Sequence, residues 1–197
     1  MKSNDELLEE LKEGVTKRSA NKNFIHYYWF IEYHVEIVEK IASELCDIYE
    51  HADRFKVLVL AWIHDYEKII DFDNQYNTEL IATRELMEQV GFNKDFISGL
   101  LSDLNILNAK KNLQETSIEI QIVSSADGAS HFVGPFGSLY WYENPSIPMA
   151  DIQTERFRKI GVDWEQKITL PEVKKAFKGR YLYGKEATGE LPQSYLG

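Results

Sequence analysis

Cysteine is nearly absent from this 197-residue chain: Cys46 is the single one, which excludes an internal disulfide framework and fits a reducing compartment. Cys46 falls on an apolar periodicity, so it reads as a core residue rather than a nucleophile. Long apolar runs are missing too. None approaches the ~20 residues needed to cross a bilayer, which removes a membrane from the expected partners. The opening "MKSNDELLEELKEG" is acidic and amphipathic and lacks the plan of a secretory signal, so a soluble, cytoplasmic protein is expected. Basic charge is in deficit: 22 Lys and Arg face 32 Asp and Glu, for a formal charge of −10. That argues against a nucleic-acid polymer as partner, which needs a basic face. It leaves room for a local basic pocket that takes a small phosphate compound, and a homo-oligomer stays open. With 44% apolar and 13% aromatic residues the chain is globular, and its length suits one domain.

What is present is helical periodicity almost throughout, so an all-α helical bundle is expected. Ser3 and Asn4 are caps for a short helix through "DELLEELKE", with Gly14 as its stop and "VTKRSANKN" as a polar connection. A long helical pattern covers 24–49, with Trp29, Val35, Val38, Ile41 and Leu45 at three-to-four spacing. "EHAD" breaks it, and one helix apolar on several sides is expected over 53–70. "DFDNQYN" reads as a loop; it lacks the glycine and closing glutamate of a calcium loop. Asn77 caps a helix to about Val90 with Gly91 as stop, and Asn93 caps the next. "ETSIEIQIVSSADGASHF" is ambiguous. Ile118, Ile120 and Ile122 alternate as in a strand, but Thr116 and Glu119 have capping-box spacing, and helix is preferred. "VGPFGSLYWYENPSIP" reads as an irregular excursion. "MADIQTERFRKIG" and "TLPEVKKAFKG" read as two short helices ended by glycine, and "RYLYGKEATGELPQSYLG" as loop or tail.

One stretch breaks the apolar logic. "VLVLAWI" runs directly into His64 and Asp65, with Lys68 four positions beyond the histidine. Burying ionisable groups is costly without a partner, and a metal ion is one. His34 lies on the preceding helix and Asp127 on a later segment, so the order H…HD…D brings two imidazoles and two carboxylates from three segments. A mixed nitrogen and oxygen set suits a divalent transition metal with open positions, not a thiolate-rich structural zinc. Neighbours on a helix diverge by about 100°, but a long imidazole and a short carboxylate still reach one ion.

The residues "YHVEIVEKIA", "AWIHDYEK" and "SSADGASHFVGPFG" resemble the HD-domain metal-dependent phosphohydrolases over about 24–140, with 150–197 as a C-terminal helical extension and tail. The resemblance implies an HD-type helical bundle in one domain, with His34, His64, Asp65 and Asp127 as metal ligands. The cofactor implied is one divalent transition metal ion, drawn from Mn, Co, Ni, Fe and Zn. The activity implied is hydrolysis of a small phosphorylated substrate, phosphate ester or nucleotide, by a metal-bound water. Asp65 is catalytic in that reading, and Lys68 clamps the phosphate as both a catalytic and a substrate-binding residue. Glu67 is a candidate acid–base group or a partner behind the ligands; His131, four residues beyond Asp127 and so on its face, is read as touching substrate or supporting a ligand, with a plain helix-end histidine equally open. Members with more metals add two histidines; here those positions hold Tyr76 or Asn77, and Asp103, which implies a single metal. Glu67 stands where signalling members often carry glycine, which points away from cyclic dinucleotides.

Plainer readings compete at each position. His64 and Asp65 alone would be a polar helix end, His34 a core histidine, Asp127 a helix closure and Lys68 a solvated lysine. The four-residue constellation outweighs these. His26, two turns before His34, is assigned to packing rather than the same cleft, His51 to solvent and Trp62 to the core. "FGSLYWYEN" could wall a base pocket by stacking, though core or subunit contact is the commoner role. A non-catalytic HD-fold module with a structural or vestigial metal is the rival function. A metal oxygenase is a third, weakened by the missing histidines.

Overall fold

Asp53, Asn93 and Ser3 start helices for one reason: each side chain accepts a hydrogen bond from an orphan backbone N–H of the first turn. The computed structural model describes residues 2–75, 78–189 and 194, and among these the protein is all-helical, with no strand. The helices are α1 (Asn4–Ser19), α2 (Glu36–Ile48), α3 (Arg54–Ile63), α4 (Tyr66–Ile70), α5 (Ile81–Val90), α6 (Lys94–Ala109), α7 (Ile118–Ser130), α8 (Phe136–Glu143), α9 (Met149–Val162) and α10 (Pro171–Thr188). Two π-helical turns, Ile31–Val35 and Asp163–Lys167, precede α2 and follow α9.

Helices α2, α3 and α7 pack on one another at the centre. Val38, Ala42, Val57, Leu60, Ala61, Ile122, Val123 and Ala126 are fully buried there. This explains the ambiguous alternation after Ser117. Helix α7 is enclosed on nearly every side, so Ile120 and Ile122 are both buried and the two-residue pattern carries no strand. Its start differs from expectation. Thr116 and Glu119 make no capping box; Thr116 Oγ1 donates to Leu113 O, and Glu119 accepts from Asp53 N–H.

Several expected boundaries move. Helix α1 runs five residues past Gly14, because Gly14 is a place of close approach rather than a stop. A Cβ there would lie 2.8 Å from Leu86 Cδ1 on α5. Gly91, with φ +106°, does end α5 in the left-handed conformation. Asn77, the expected cap of α5, lies outside the described residues; α5 begins after Leu80. The irregular excursion contains α8, and the expected tail is helical to Thr188. Gly161 and Gly179 have helical backbones and end nothing. The long helix expected over 53–70 is broken at His64–Asp65, and only α2 of the pattern over 24–49 is regular α-helix. His51 is exposed, and Cys46 and Trp62 are buried, as expected.

The C-terminal segment earns its place through α7. Ser124 Oγ donates to Lys167 O at 2.9 Å, and Ser125 Oγ accepts from Thr169 and Leu170 N–H at 3.0 and 3.2 Å. Gly128 completes the seam, since a Cβ there would sit 3.0 Å from Ile168 Cγ1 and Lys167 Cβ. The run of small residues in "SSADGAS" thus docks the second π-turn against the centre of the molecule.

Candidate metal centre

Three of the four expected ligands arrive by a local irregularity. His34 sits in the first π-turn, whose extra residue changes its phase relative to α2; it is 1% exposed. Between α3 and α4, Asp65 has φ −117° and ψ 16°, outside the helical region. That break overcomes the angular divergence of helix neighbours and brings Asp65 Oδ2 within 3.6 Å of His64 Nε2. Asp127 comes from the interior of α7.

The hydrogen bonds fix which nitrogen of each imidazole is free. His64 Nδ1 lies 2.7 Å from Ala61 O, and a carbonyl only accepts, so Nδ1 carries the proton. His34 Nδ1 faces Ser130 Oγ at 3.1 Å; that hydroxyl donates to Asp127 O, so it accepts from His34. His131 Nδ1–H donates to Asp163 Oδ2 at 2.9 Å. All three neutral rings therefore present an unprotonated Nε2, the arrangement by which outer partners orient metal-binding histidines.

These lone pairs converge with carboxylate oxygens. His34 Nε2 and His64 Nε2 are 3.1 Å apart. His34 Nε2 is 3.4 Å from Asp65 Oδ2 and 3.8 Å from Asp127 Oδ1; His64 Nε2 is 3.9 Å from the latter. Acceptors facing acceptors repel unless a cation lies between them. Ligand bonds of about 2.0–2.2 Å put neighbouring ligand atoms roughly 3–3.5 Å apart, and the spacings begin in that range. His34, His64 and Asp65 offer three atoms within 4.8 Å of one another, as do His34, Asp127 and His131. These residues could hold a metal ion.

Protonation favours ligation. Burial depresses the His34 pKa below the ordinary imidazole value and pushes His131 down to about 3. Burial alone would raise both aspartates, but the Lys68 ammonium holds Asp65 well below the carboxylate range, and the Lys167 ammonium does so for Asp127. Lys68 is ion-paired with Asp65, and Lys167 with Asp127 at 2.5 Å. Asp127 and Asp163 raise the Lys167 pKa above normal despite its burial.

His64, Asp65, Asp127 and His131 open onto a cavity of about 330 Å³. Lys68, Lys110, Lys159 and Lys167 bring four ammonium groups to its wall, in a chain of net charge −10. Trp29, Phe72, Phe136 and Tyr140 supply aromatic surface. Lys68 lines the cavity, ion-paired with Asp65. Glu67 turns away from it: its Oε1 accepts from the N–H and hydroxyl of Thr83, both at 2.9 Å, and it is not among the residues lining the cavity. His131 belongs to a ligand set as well as to the cavity wall. His26 packs against Glu143 at 2.6 Å and also lines the cavity, a role its assignment to packing left out. No residue of the aromatic run on α8 is fully buried, although Phe136 and Leu139 pack against the core. Asp103 is held by Lys56 at 2.7 Å, and Tyr76 and Asn77 lie outside the described residues.

Sequence reasoning missed Lys110, Lys159, Asp163 and Lys167. The four-residue spacing of Lys159, Asp163 and Lys167 was a readable cue that they share one side of a helix, but not that α7 faces that side. Lys110 adopts φ +52°, uncommon for a residue with a side chain, and only the fold reveals that. No protein-family model, curated protein or solved structure matches this chain.

Proposed function

We propose that the protein is an HD-type metal-dependent phosphohydrolase acting on a small phosphate ester or nucleotide. The observation that carries the reading is the convergence of the His34 and His64 Nε2 atoms with the Asp65 and Asp127 carboxylates beside a lysine-lined cavity. His34, His64, Asp65 and Asp127 hold a divalent transition metal, with His131 adjoining. Such an ion lowers the pKa of bound water towards neutrality and polarises a phosphoryl oxygen.

The chain's own residues supply the rest. Lys68, Lys110 and Lys159 present positive charge to the phosphoryl oxygens, where negative charge accumulates in the transition state. Phe72 and Tyr140 offer flat surfaces for a base. Glu67 has no part in the chemistry.

The test is metal analysis joined to a hydrolysis screen of nucleoside mono-, di-, tri- and cyclic phosphates with Mn, Co, Ni, Fe and Zn. The wild type is expected to bind about one equivalent of metal and release phosphate. Asp65→Ala should lose both properties. A metal-free Asp65→Ala variant with full turnover overturns the reading, and metal binding without hydrolysis of any member leaves the non-catalytic module.

A further inference from the structure

Behind the metal cavity lies a second one of about 400 Å³, formed by α8, α9, α10 and the turn before α8. The two share only His131, Phe136 and Lys159, which act as a partition. We propose that this second cavity is a binding site for a small molecule carrying a phosphate group, distinct from the metal centre.

Its charge is the first ground. Arg156, Lys159 and Arg180 line it, against Asp163 as the single acid. Asp163 is already engaged by His131 at 2.9 Å and Lys159 at 3.2 Å. Among the described residues, no carboxylate lies within ion-pairing distance of Arg156 or Arg180. Arg180 makes a 3.4 Å hydrogen bond to Phe132 O and lies 5.7 Å from the Phe177 ring centroid, neither of which neutralises its charge. Arg156 is partly buried, and a guanidinium stays charged at any physiological pH. A desolvated cation without a carboxylate calls for an anion, and the guanidinium fork matches phosphate oxygens.

Shape is the second ground. Gly134, Gly137, Gly179 and Gly184 line the cavity, so its walls carry few side chains. A Cβ on Gly137 would collide with the Arg156 guanidinium. Gly137 therefore makes room for the arginine. At Gly179 a Cβ would meet nothing within 4 Å. The surrounding segment shows the same bias: residues 149–188 hold nine lysines and arginines against six acids, inside a strongly acidic chain.

The proposal is independent of metal chemistry, so the test runs on the full chain in excess chelator, by calorimetric titration with inorganic phosphate, AMP and citrate. Phosphate or AMP is expected to bind, and tighter binding of AMP would mark the organic phosphate as the fitting form. R156Q/R180Q should weaken binding at least about tenfold, the scale of losing charge-assisted hydrogen bonds. The loss should persist when R156Q/R180Q is made in a Lys68→Ala background, which weakens phosphate binding at the metal cavity alone. Because Arg156 is partly buried, Gly179→Leu is the second variant: it fills the space, keeps every charge and favours helix, so its thermal stability should equal or exceed the wild type while affinity falls. Undetectable binding of phosphate and AMP to the wild type, citrate binding alone, or affinity unmoved by both variants overturns the proposal.

Discussion

Glu67 and Asp65 stand two positions apart in one short motif, yet they do different work. Asp65 opens onto the cavity; Glu67 turns to the start of α5. Helix α5 has Leu80 at its N-cap, in the left-handed conformation and without a side chain able to cap. The Glu67 carboxylate performs that task from α4 by accepting from the N–H of Thr83, the third residue of the helix. It is a cap supplied by tertiary structure, which explains why local rules pointed to Asn77 instead. Glu67→Ala is therefore expected to cost about 1–2 kcal/mol, the usual loss for a removed cap. Metal content and hydrolysis should persist. Urea unfolding measures the first and metal analysis with turnover the second; a stable but inactive Glu67→Ala would restore Glu67 to the chemistry. The four candidate ligands, His34, His64, Asp65 and Asp127, were legible because each is a rare polar interruption of an apolar stretch. The hydrogen-bond partners that orient the imidazoles, Ser130 for His34, Ala61 for His64 and Asp163 for His131, were not, since nothing local distinguishes them from ordinary serine, alanine and aspartate.

Regular helices were legible wherever a side chain caps a turn or glycine adopts positive φ, as at Asn93 and Gly91. The reading failed where glycine serves packing. Gly14 admits Leu86, and Gly184 lies 3.2 Å, measured from its would-be Cβ, from Ile160 Cδ1. It failed again where the helix departs from 3.6 residues per turn, and those departures carry the site: His34 on one π-turn, Asp163 and Lys167 on the other, His64 and Asp65 at a break. A π-turn has no composition of its own, so a periodicity search smooths over it. Gly128 ties these elements together. Alanine there would gain up to about 1 kcal/mol in helix propensity. It would also press a methyl group against Ile168, Lys167 and the Asp163 carbonyl, the last at 3.3 Å, and overpacking of this kind costs about 1–3 kcal/mol. Backbone on one side cannot rotate away, so the clash wins. Gly128→Ala is expected to lower thermal stability and to weaken metal affinity by moving Lys167 off Asp127; a variant at least as stable as the wild type, with unchanged affinity, would show that the seam has slack.

The molecule as a whole concentrates neutral histidines at its centre while its surface carries excess acid, and the two respond to pH in opposite senses. Lowering the pH towards the isoelectric point of about 5.0 relieves surface self-repulsion. The interior loses. Burial depresses His34, takes His26 to about 4 and His131 to about 3. A histidine whose folded pKa lies below its unfolded value of about 6.5 stabilises the fold above that value, and the contribution drains away as pH falls through the window between the two. At pH 5 the loss is on the order of 2 kcal/mol each for His26 and His131, and His34 adds in the same direction. Exposed ion pairs are worth about 0–1 kcal/mol each, so the interior should prevail. Asp65, Asp127 and Asp163, all held below the carboxylate range, extend the loss below about pH 4. In excess chelator, the melting temperature followed by circular dichroism should fall progressively from pH 6.5 to 5. With a divalent metal added it should be higher at pH 7.5 and converge on the chelated curve as acid protonates the same imidazoles, because only the neutral rings bind. A chelated melting temperature that holds or climbs between pH 6.5 and 5 would mean the buried histidines take up protons without cost, and the neutral Nε2 cluster would no longer describe the centre of the fold.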